Sequence, residues 1–147
     1  MKRLAIELRP GVLDELGLVR TLQSLAQEFE GHTGIRCRFE TNLGKAKFDR
    51  VGSVALFRIA QAALTNVARH AQASSVTMAL MKQYDDLMLS VKDNGKGITK
   101  KSIQNHNSLG IIGMRERALA LDGTLTLQGS KKKGTTLTIR IPLVRIL

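Results

Sequence analysis

The stretch Leu87-Met88-Leu89-Ser90-Val91-Lys92-Asp93-Asn94-Gly95-Lys96-Gly97-Ile98 decides how this 147-residue chain is read. Leu87, Leu89 and Val91 recur at every second position, the pattern of a half-buried strand. The run stops at an acid followed by two spaced glycines. A strand ending in Asp-x-Gly-x-Gly sets one carboxylate at the sheet edge, then a backbone without Cβ at two positions. Such a backbone takes φ > 0 and lets a ligand approach closely. Asp, Asn and Gly are equally ordinary turn residues. Taken alone, the stretch is either a tight turn or the floor of a pocket.

Working outward, residues 75–84 read as a preceding strand with Val76, Met78 and Leu80 on one face. Asp85-Asp86 reads as the hairpin turn between the two. After the glycines, residues 99–107 are polar with little to bury. Gly110 and Gly113 then lead into a helix reaching about Leu121. Asp122-Gly123 is a strong turn signal. Residues 124–128 and 135–141 are alternating strands joined by Lys131-Lys132-Lys133, and Pro142 ends the last one.

Further upstream, residues 51–73 form the longest helical pattern, apolar around much of its circumference, as in a core helix. Its remaining stripe is Arg58, Ala62, Asn66, Arg69 and His70, whose spacing puts them on one face. An Asn within an apolar helix is unfavourable by propensity and wants partners if buried. That stripe is either one side of a site or a partly exposed helix edge. Residues 35–42 alternate as a strand, and residues 44–49 form a loop. Leu18, Leu22, Leu25, Ala26 and Phe29 mark a helix over 18–30, with Gly31 and Gly34 closing it. Residues 8–18 read as a linker with a short turn. Residues 1–8 read as the tail of a helix ended by Pro10, as though cut from a longer chain.

A chain of this size buries a proper core as one domain. Its 43% hydrophobic and 24% charged content is that of a soluble globular protein. No continuous apolar run approaches the ~20 residues of a membrane span, and the first residues do not form a signal peptide. The single Cys37 excludes an internal disulfide framework and a cysteine-based metal site, and suits a cytosolic setting. A net charge of +11 favours anionic partners such as nucleotides, phosphate or nucleic acid. One Tyr and no Trp leave little for base stacking.

Three segments now supply parts of one site. The long helix carries Asn66, Arg69 and His70. The 93–98 loop carries an acid and two glycines. The 108–113 loop sets Gly110 and Gly113 ahead of a helix, whose N-terminus favours phosphate. A neutral Asn oxygen suits Mg²⁺ when phosphates and water complete the octahedron. A buried Asp accepts a hydrogen bond from an exocyclic amine such as that of adenine. Together these describe a Mg-nucleotide site with a polar flap between residues 98 and 110.

The arrangement resembles the ATP-binding catalytic domain of bacterial sensor histidine kinases, within the gyrase, Hsp90, histidine kinase and MutL superfamily. It is most similar to the nitrate- and fluidity-sensing kinases. Leu8-Arg9-Pro10 with Leu13-Asp14-Glu15-Leu16-Gly17-Leu18 resembles the segment that joins dimerisation helices to the ATPase domain. Phe57-Arg58-Ile59 through Thr65-Asn66-Val67-Ala68-Arg69-His70-Ala71 resembles the N box. Asp93 to Ile98 resembles the first glycine box, Leu109 to Arg117 the second, and Gly134-Thr135-Thr136-Leu137 the last. The match covers residues 8–143 in the right order.

The resemblance implies an α+β fold, a two-layer α/β sandwich of the Bergerat type. Its mixed, mostly antiparallel sheet has about five strands covered on one face by about three helices. It divides the chain into 1–10, the end of a dimerisation helix and linker, and 11–147, the ATP-binding domain. It implies ATP and Mg²⁺ as ligands, with Asn66 on the Mg²⁺ that bridges the phosphates. Asp93 would accept from the adenine amino group, Gly95 and Gly97 would let the purine lie against backbone, and Ile98 would be among the nucleotide-binding residues. Arg69 or His70 would approach phosphate or ribose. Leu109, Gly110 and Gly113 would let a lid close on the phosphates, and Thr136 would support the adenine.

The implied partners are ATP or ADP, a histidine-bearing dimerisation domain of the same protein, and a response-regulator receiver domain, with no nucleic acid. The whole protein would be a homodimer with this domain in the cytoplasm, and this chain alone a monomer.

Two departures matter. The family usually carries a Glu one helical turn before the N-box Asn, where this chain has Ala62; Gln61 points about 100° away. That Glu is the usual candidate for polarising the attacking histidine, and general-base help is worth roughly 10²–10⁴-fold. Ala62 therefore predicts slow phosphotransfer with nucleotide binding retained. No histidine here fits a phosphoacceptor: His32 precedes Thr33, His70 precedes Ala71 and His106 precedes Asn107. The readings to separate are a sensor-kinase catalytic domain, a nucleotide-binding regulatory module with little kinase chemistry, and a basic nucleic-acid-binding domain motivated only by charge.

Overall fold

The computed structural model of the chain describes residues 10–44, 47–97, 110–130 and 133–147. Its elements are α1 (Pro10–Thr33), β1 (Arg36–Thr41), α2 (Arg50–Asn66), a π turn (Val67–Ala71) and β2 (Ser75–Gln83). They continue with β3 (Asp86–Asp93), α3 (Ile111–Leu119), β4 (Thr124–Ser130), β5 (Gly134–Pro142) and a final 3-10 turn (Leu143–Arg145). The strands form one sheet in the order β1-β2-β3-β5-β4. β1 runs parallel to β2, and the other pairings are antiparallel. This is the expected two-layer α+β arrangement.

Register explains why one face of the sheet is covered. Met78 pairs with Val91 and Val91 with Leu137, while Leu80 pairs with Leu89 and Leu89 with Ile139. Every second residue across three strands thus points to the same side, and all of these are buried. Leu22, Leu25 and Phe29 of α1, Leu56, Ile59 and Leu64 of α2, and Met114 of α3 complete the same core. Burying one such side chain is worth about 1.5–3 kcal/mol, whereas an exposed ion pair such as Arg38–Glu40 at 3.8 Å is worth about 0–1. The apolar layer therefore sets the fold.

Local signals fix the helices. Asp49 caps α2 by accepting from the Gly52 N–H at 2.6 Å. Gly52 is buried where a Cβ would run into Ile146, and the Ile146 carbonyl accepts from the Asp49 N–H at 2.7 Å. The C-terminal residues are thereby seated on the start of α2. The helical stretch Arg50–Ala71 is long and apolar enough to cross a membrane by length and composition, which corrects the count made on continuous runs alone. Half of that window is buried within the domain, so the core accounts for its apolarity.

Several expected boundaries move. Residues 10–16 are helical rather than linker, because Pro at the first position of a helix gives up only an N–H that has no partner anyway. Gly17 (φ 79°, ψ 171°) breaks α1 without ending it. Gly31 lies inside α1; Gly34 (φ 75°) is the true terminator, its N–H donating to the Glu30 carbonyl at 2.9 Å. The β2–β3 turn is Tyr84-Asp85, with Tyr84 left-handed at φ 56°, and Asp86 already pairs with Gln83. Pro142 is the last residue of β5, paired with Asp86. The expected helix tail at 1–8 and the polar stretch 99–107 lie outside the described residues.

Candidate functional site

α2 does not simply stop at Asn66. The chain widens into the π turn Val67–Ala71 and leaves it through Gln72 in the left-handed region (φ 52°). Single π turns in helices occur often at functional sites. Here the turn brings Val67, His70 and Ala71 to one side of a cavity of about 180 Å³, beside Asn66. Val91, Asp93, Lys96 and Gly97, from β3 and the loop after it, form another wall, and Leu127 of β4, Thr135 and Leu137 of β5 and Ile111 of α3 complete the lining.

Asp93 is the buried acid of this cavity, 6% exposed at the end of β3. Its parity follows from the strand: Leu87, Leu89 and Val91 face the core, so residue 93 does too. Burial pushes its carboxyl above the ordinary 3.8, while N–H donation from Gly95 and Thr135 partly restrains the rise. The Gly95 N–H reaches Oδ1 at 2.8 Å. The result is a carboxylate set among apolar walls, fit to accept from a polar edge of a flat apolar ligand.

The backbone around this acid is close-packed. A Cβ on Gly95 would overlap the Ala71 carbonyl, and one on Gly134 (φ 86°) would overlap the Asp93 carbonyl. The Lys96 N–H donates to the same Ala71 carbonyl at 2.8 Å. The two walls therefore meet backbone to backbone.

Of the residues singled out from sequence, Asn66, His70, Asp93 and Gly97 line the cavity, with Gly95 packed behind the loop. Arg69 is exposed and off the cavity. Gly110 (φ 64°) caps α3 and Gly113 lies within it; neither lines the cavity, whereas Ile111 between them does. A Cβ on Gly113 would meet only the flexible end of Arg117 at 3.3 Å. Ile98 and Leu109 fall outside the described residues. Thr136 pairs with Lys92 on the opposite side of the sheet, and it is Thr135 that lines the cavity, sharing parity with Leu137. Ala62 is half-buried against the core.

Thr135, Lys96 and Ile111 were missed as cavity residues. The alternation read over residues 135–141 sets Thr135 at the same parity as Leu137, Ile139 and Ile141, and so carried a signal for it. Among the described residues no group of three or more His, Cys, Asp or Glu side chains gathers to hold a metal.

The comparisons with known proteins agree with this geometry. The histidine kinase-, DNA gyrase B- and HSP90-like ATPase family matches residues 52–145. The signal transduction histidine-protein kinase/phosphatase DegS of Brevibacillus brevis is 38% identical over 144 residues, covering 97% of this chain and 37% of that protein. The oxygen sensor histidine kinase NreB of Staphylococcus carnosus is 32% identical over 143 residues, covering 97% and 41%. The chain thus spans well under half the length of these relatives. In fold it is similar to the histidine kinase domain of an Erythrobacter litoralis blue-light activated kinase, with a TM-score of 0.71 at 21% identity over 87% of this chain and 62% of that one. The catalytic domain of histidine kinase ThkA gives 0.70 at 18% identity over 86% and 90%. On the match over residues 52–145, the chain belongs to the histidine kinase-, DNA gyrase B- and HSP90-like ATPase family.

Proposed function

We propose that this chain binds ATP with Mg²⁺ and acts, within a longer protein, as the catalytic domain that passes the γ-phosphate to a histidine on a separate dimerisation domain. From there the phosphoryl group would go to a receiver domain of a response regulator. The observation that carries the reading is Asp93, a buried carboxylate at the end of an apolar cavity whose facing wall holds Asn66 and His70.

Asp93 accepts from the adenine amino group, and Val91, Leu127 and Leu137 supply apolar contact for the ring. Thr135, rather than Thr136, adds a hydroxyl beside the acid. His70 and Lys96 stand where ribose or phosphate would pass, and the Gly110 cap of α3 turns backbone N–H groups toward phosphate. Arg69, Gly113 and Leu109 remain assigned to the phosphate side, and Ile98 to the nucleotide, by family resemblance alone. Asn66 fits Mg²⁺ by chemistry: one neutral amide oxygen, with phosphates and water completing the shell, is the usual arrangement for this ion, which seldom needs an all-protein cage. Bound there, Mg²⁺ would neutralise phosphate charge. The decisive measurement is calorimetry of ADP and ATP with and without Mg²⁺. We expect binding that Mg²⁺ strengthens and that Asp93→Asn weakens at least about 100-fold, since a buried polar partner is then mismatched. A wild-type chain with no nucleotide affinity would sink the proposal.

Ala62 favours a second reading, a nucleotide-binding regulatory module with little kinase chemistry. It lies one turn before Asn66 on the same helix face and has no group to take a proton. Vigorous histidine phosphorylation by the unmodified full-length protein would eliminate this reading.

A further inference from the structure

We infer that Asn94 is a positioning residue for the nucleotide, its side chain latching the segment that leaves the π turn to the strand end that bears Asp93. This rests on the nucleotide-binding reading above and deepens it. Oδ1 of Asn94 accepts from the Ser74 N–H at 2.9 Å and from the Ser75 N–H at 3.0 Å. Nδ2 donates to the Ser74 Oγ at 2.8 Å. Its own backbone N–H donates to the Ser75 carbonyl at 3.2 Å. Asn94 therefore ties the chain entering β2, Ser74 and Ser75, to the end of β3 that bears Asp93.

The tie matters because of what lies on either side of it. Two residues before Ser74, Gln72 leaves the π turn in the left-handed region and turns the chain toward β2. One residue before Gln72 is Ala71, whose carbonyl accepts from Lys96 N–H and against which Gly95 fits only without a Cβ. One residue before Asn94 is Asp93, whose Oδ1 accepts from Gly95. The latch thus fixes the spacing between His70 and Ala71 on one wall and Asp93 and Gly97 on the other, the walls between which the purine would lie. An amide suits the place because it accepts two N–H groups and still donates one hydrogen bond. Asp would keep both acceptances, with the Ser74 hydroxyl turning round to donate; Ala would keep none.

Asn94 and Ser74 are both exposed. Water replaces the lost bonds in Asn94→Ala, so global stability changes little while the spacing of the walls is freed. Loss of such preorganisation appears in affinity. The test is titration of the full 147-residue chain with ADP and Mg²⁺, for wild type, Asn94→Ala and Asn94→Asp, together with thermal melts and amide hydrogen exchange. We expect Asn94→Ala to bind ADP about tenfold more weakly with a melting shift under about 4 °C, and Asn94→Asp to stay within about threefold of wild type. The Lys96 amide should exchange faster in Asn94→Ala, while amides in the middle of β2 and β3 keep their protection.

Wild-type affinity in Asn94→Ala overturns the inference. So does an affinity loss that Asn94→Asp does not recover, or one accompanied by lost protection throughout the sheet, since either marks a merely structural role. A wild type that binds no ADP removes the nucleotide reading itself and this inference with it, an outcome distinct from the others.

Discussion

The wall that carries Asp93 and the helix stripe that carries Ala62 and Asn66 are built in different ways. Around Asp93 the backbone itself makes the site: Gly95 and Gly134 admit carbonyls where a Cβ would collide, and N–H groups of Gly95 and Thr135 hold the acid. Along the stripe, the helix supplies only a rail, and whatever each side chain offers is offered singly. A change at one rail position leaves the helix intact. By the family resemblance, Ala62 would be such a change, and it is half-buried and compatible with the core. Binding built from backbone contacts thus resists sequence drift, while chemistry built from one side chain is lost by one substitution.

The strongest way to sharpen this contrast is Ala62→Glu in the full-length protein. Restoring a base one turn from Asn66 should raise histidine phosphorylation by roughly 10²–10⁴-fold, read as the single-turnover rate with radiolabelled ATP, with ADP affinity within about threefold of wild type. Equal rates in the two proteins would break the contrast, because the helix rail would then carry no chemistry.

Gly134→Ala attacks the backbone-built side. A side chain there is strained at φ 86° and overlaps the Asp93 carbonyl, so we expect a stability loss of about 2–4 kcal/mol in urea unfolding. Nucleotide affinity should fall with it, since the displaced group is the residue that bears the acid. A variant as stable as wild type would show that the packing is looser than described.

The smallest effect concerns pH. The folded-state pKa of Asp93 is raised by burial, so the folded chain holds that proton more tightly than the unfolded one. Its contribution to stability is therefore fully present below the unfolded pKa and is lost as pH rises through the folded value. The difference in unfolding free energy between wild type and Asp93→Asn should accordingly move against wild type as pH rises from about 3.5 toward neutrality. Adenine binding should change in the opposite sense, weakening on acidification with a midpoint above the ordinary 3.8. A difference that does not vary with pH would mean that Asp93 is not desolvated.

Much of this architecture is legible in the residues. Alternation alone places Leu87, Leu89 and Val91 inward and so orients Asp93, and helical spacing groups Asn66 with His70, although it is the π turn Val67–Ala71 that carries His70 to the cavity and leaves Arg69 off it. What escaped depends on partners distant in sequence. Parity with Leu137, Ile139 and Ile141 points to Thr135 over Thr136, but that a cavity lies over this end of β5 depends on its neighbours β3 and β4, which pair Thr136 with Lys92 and Thr135 with Gly129. Residues 10–16 carry Pro and Gly, which punctuate most chains, yet Pro10 sits at the one helix position that tolerates it. The left-handed Tyr84 has no local signature, since that conformation usually selects Gly or Asn.

The place of β3 between β2 and β5 also bears on how the protein acquires its site. β2 and β3 close through a two-residue turn, a local event on the microsecond scale. β5 must return from about forty residues further along the chain, past α3 and β4, and pay the loop-closure entropy before any contact rewards it. Until it does, Asp93 has neither the Thr135 N–H nor the Gly134 backbone beside it. Competence to hold ligand therefore waits on the docking of β5, and a ligand that binds only the finished site pulls the folding equilibrium forward by mass action.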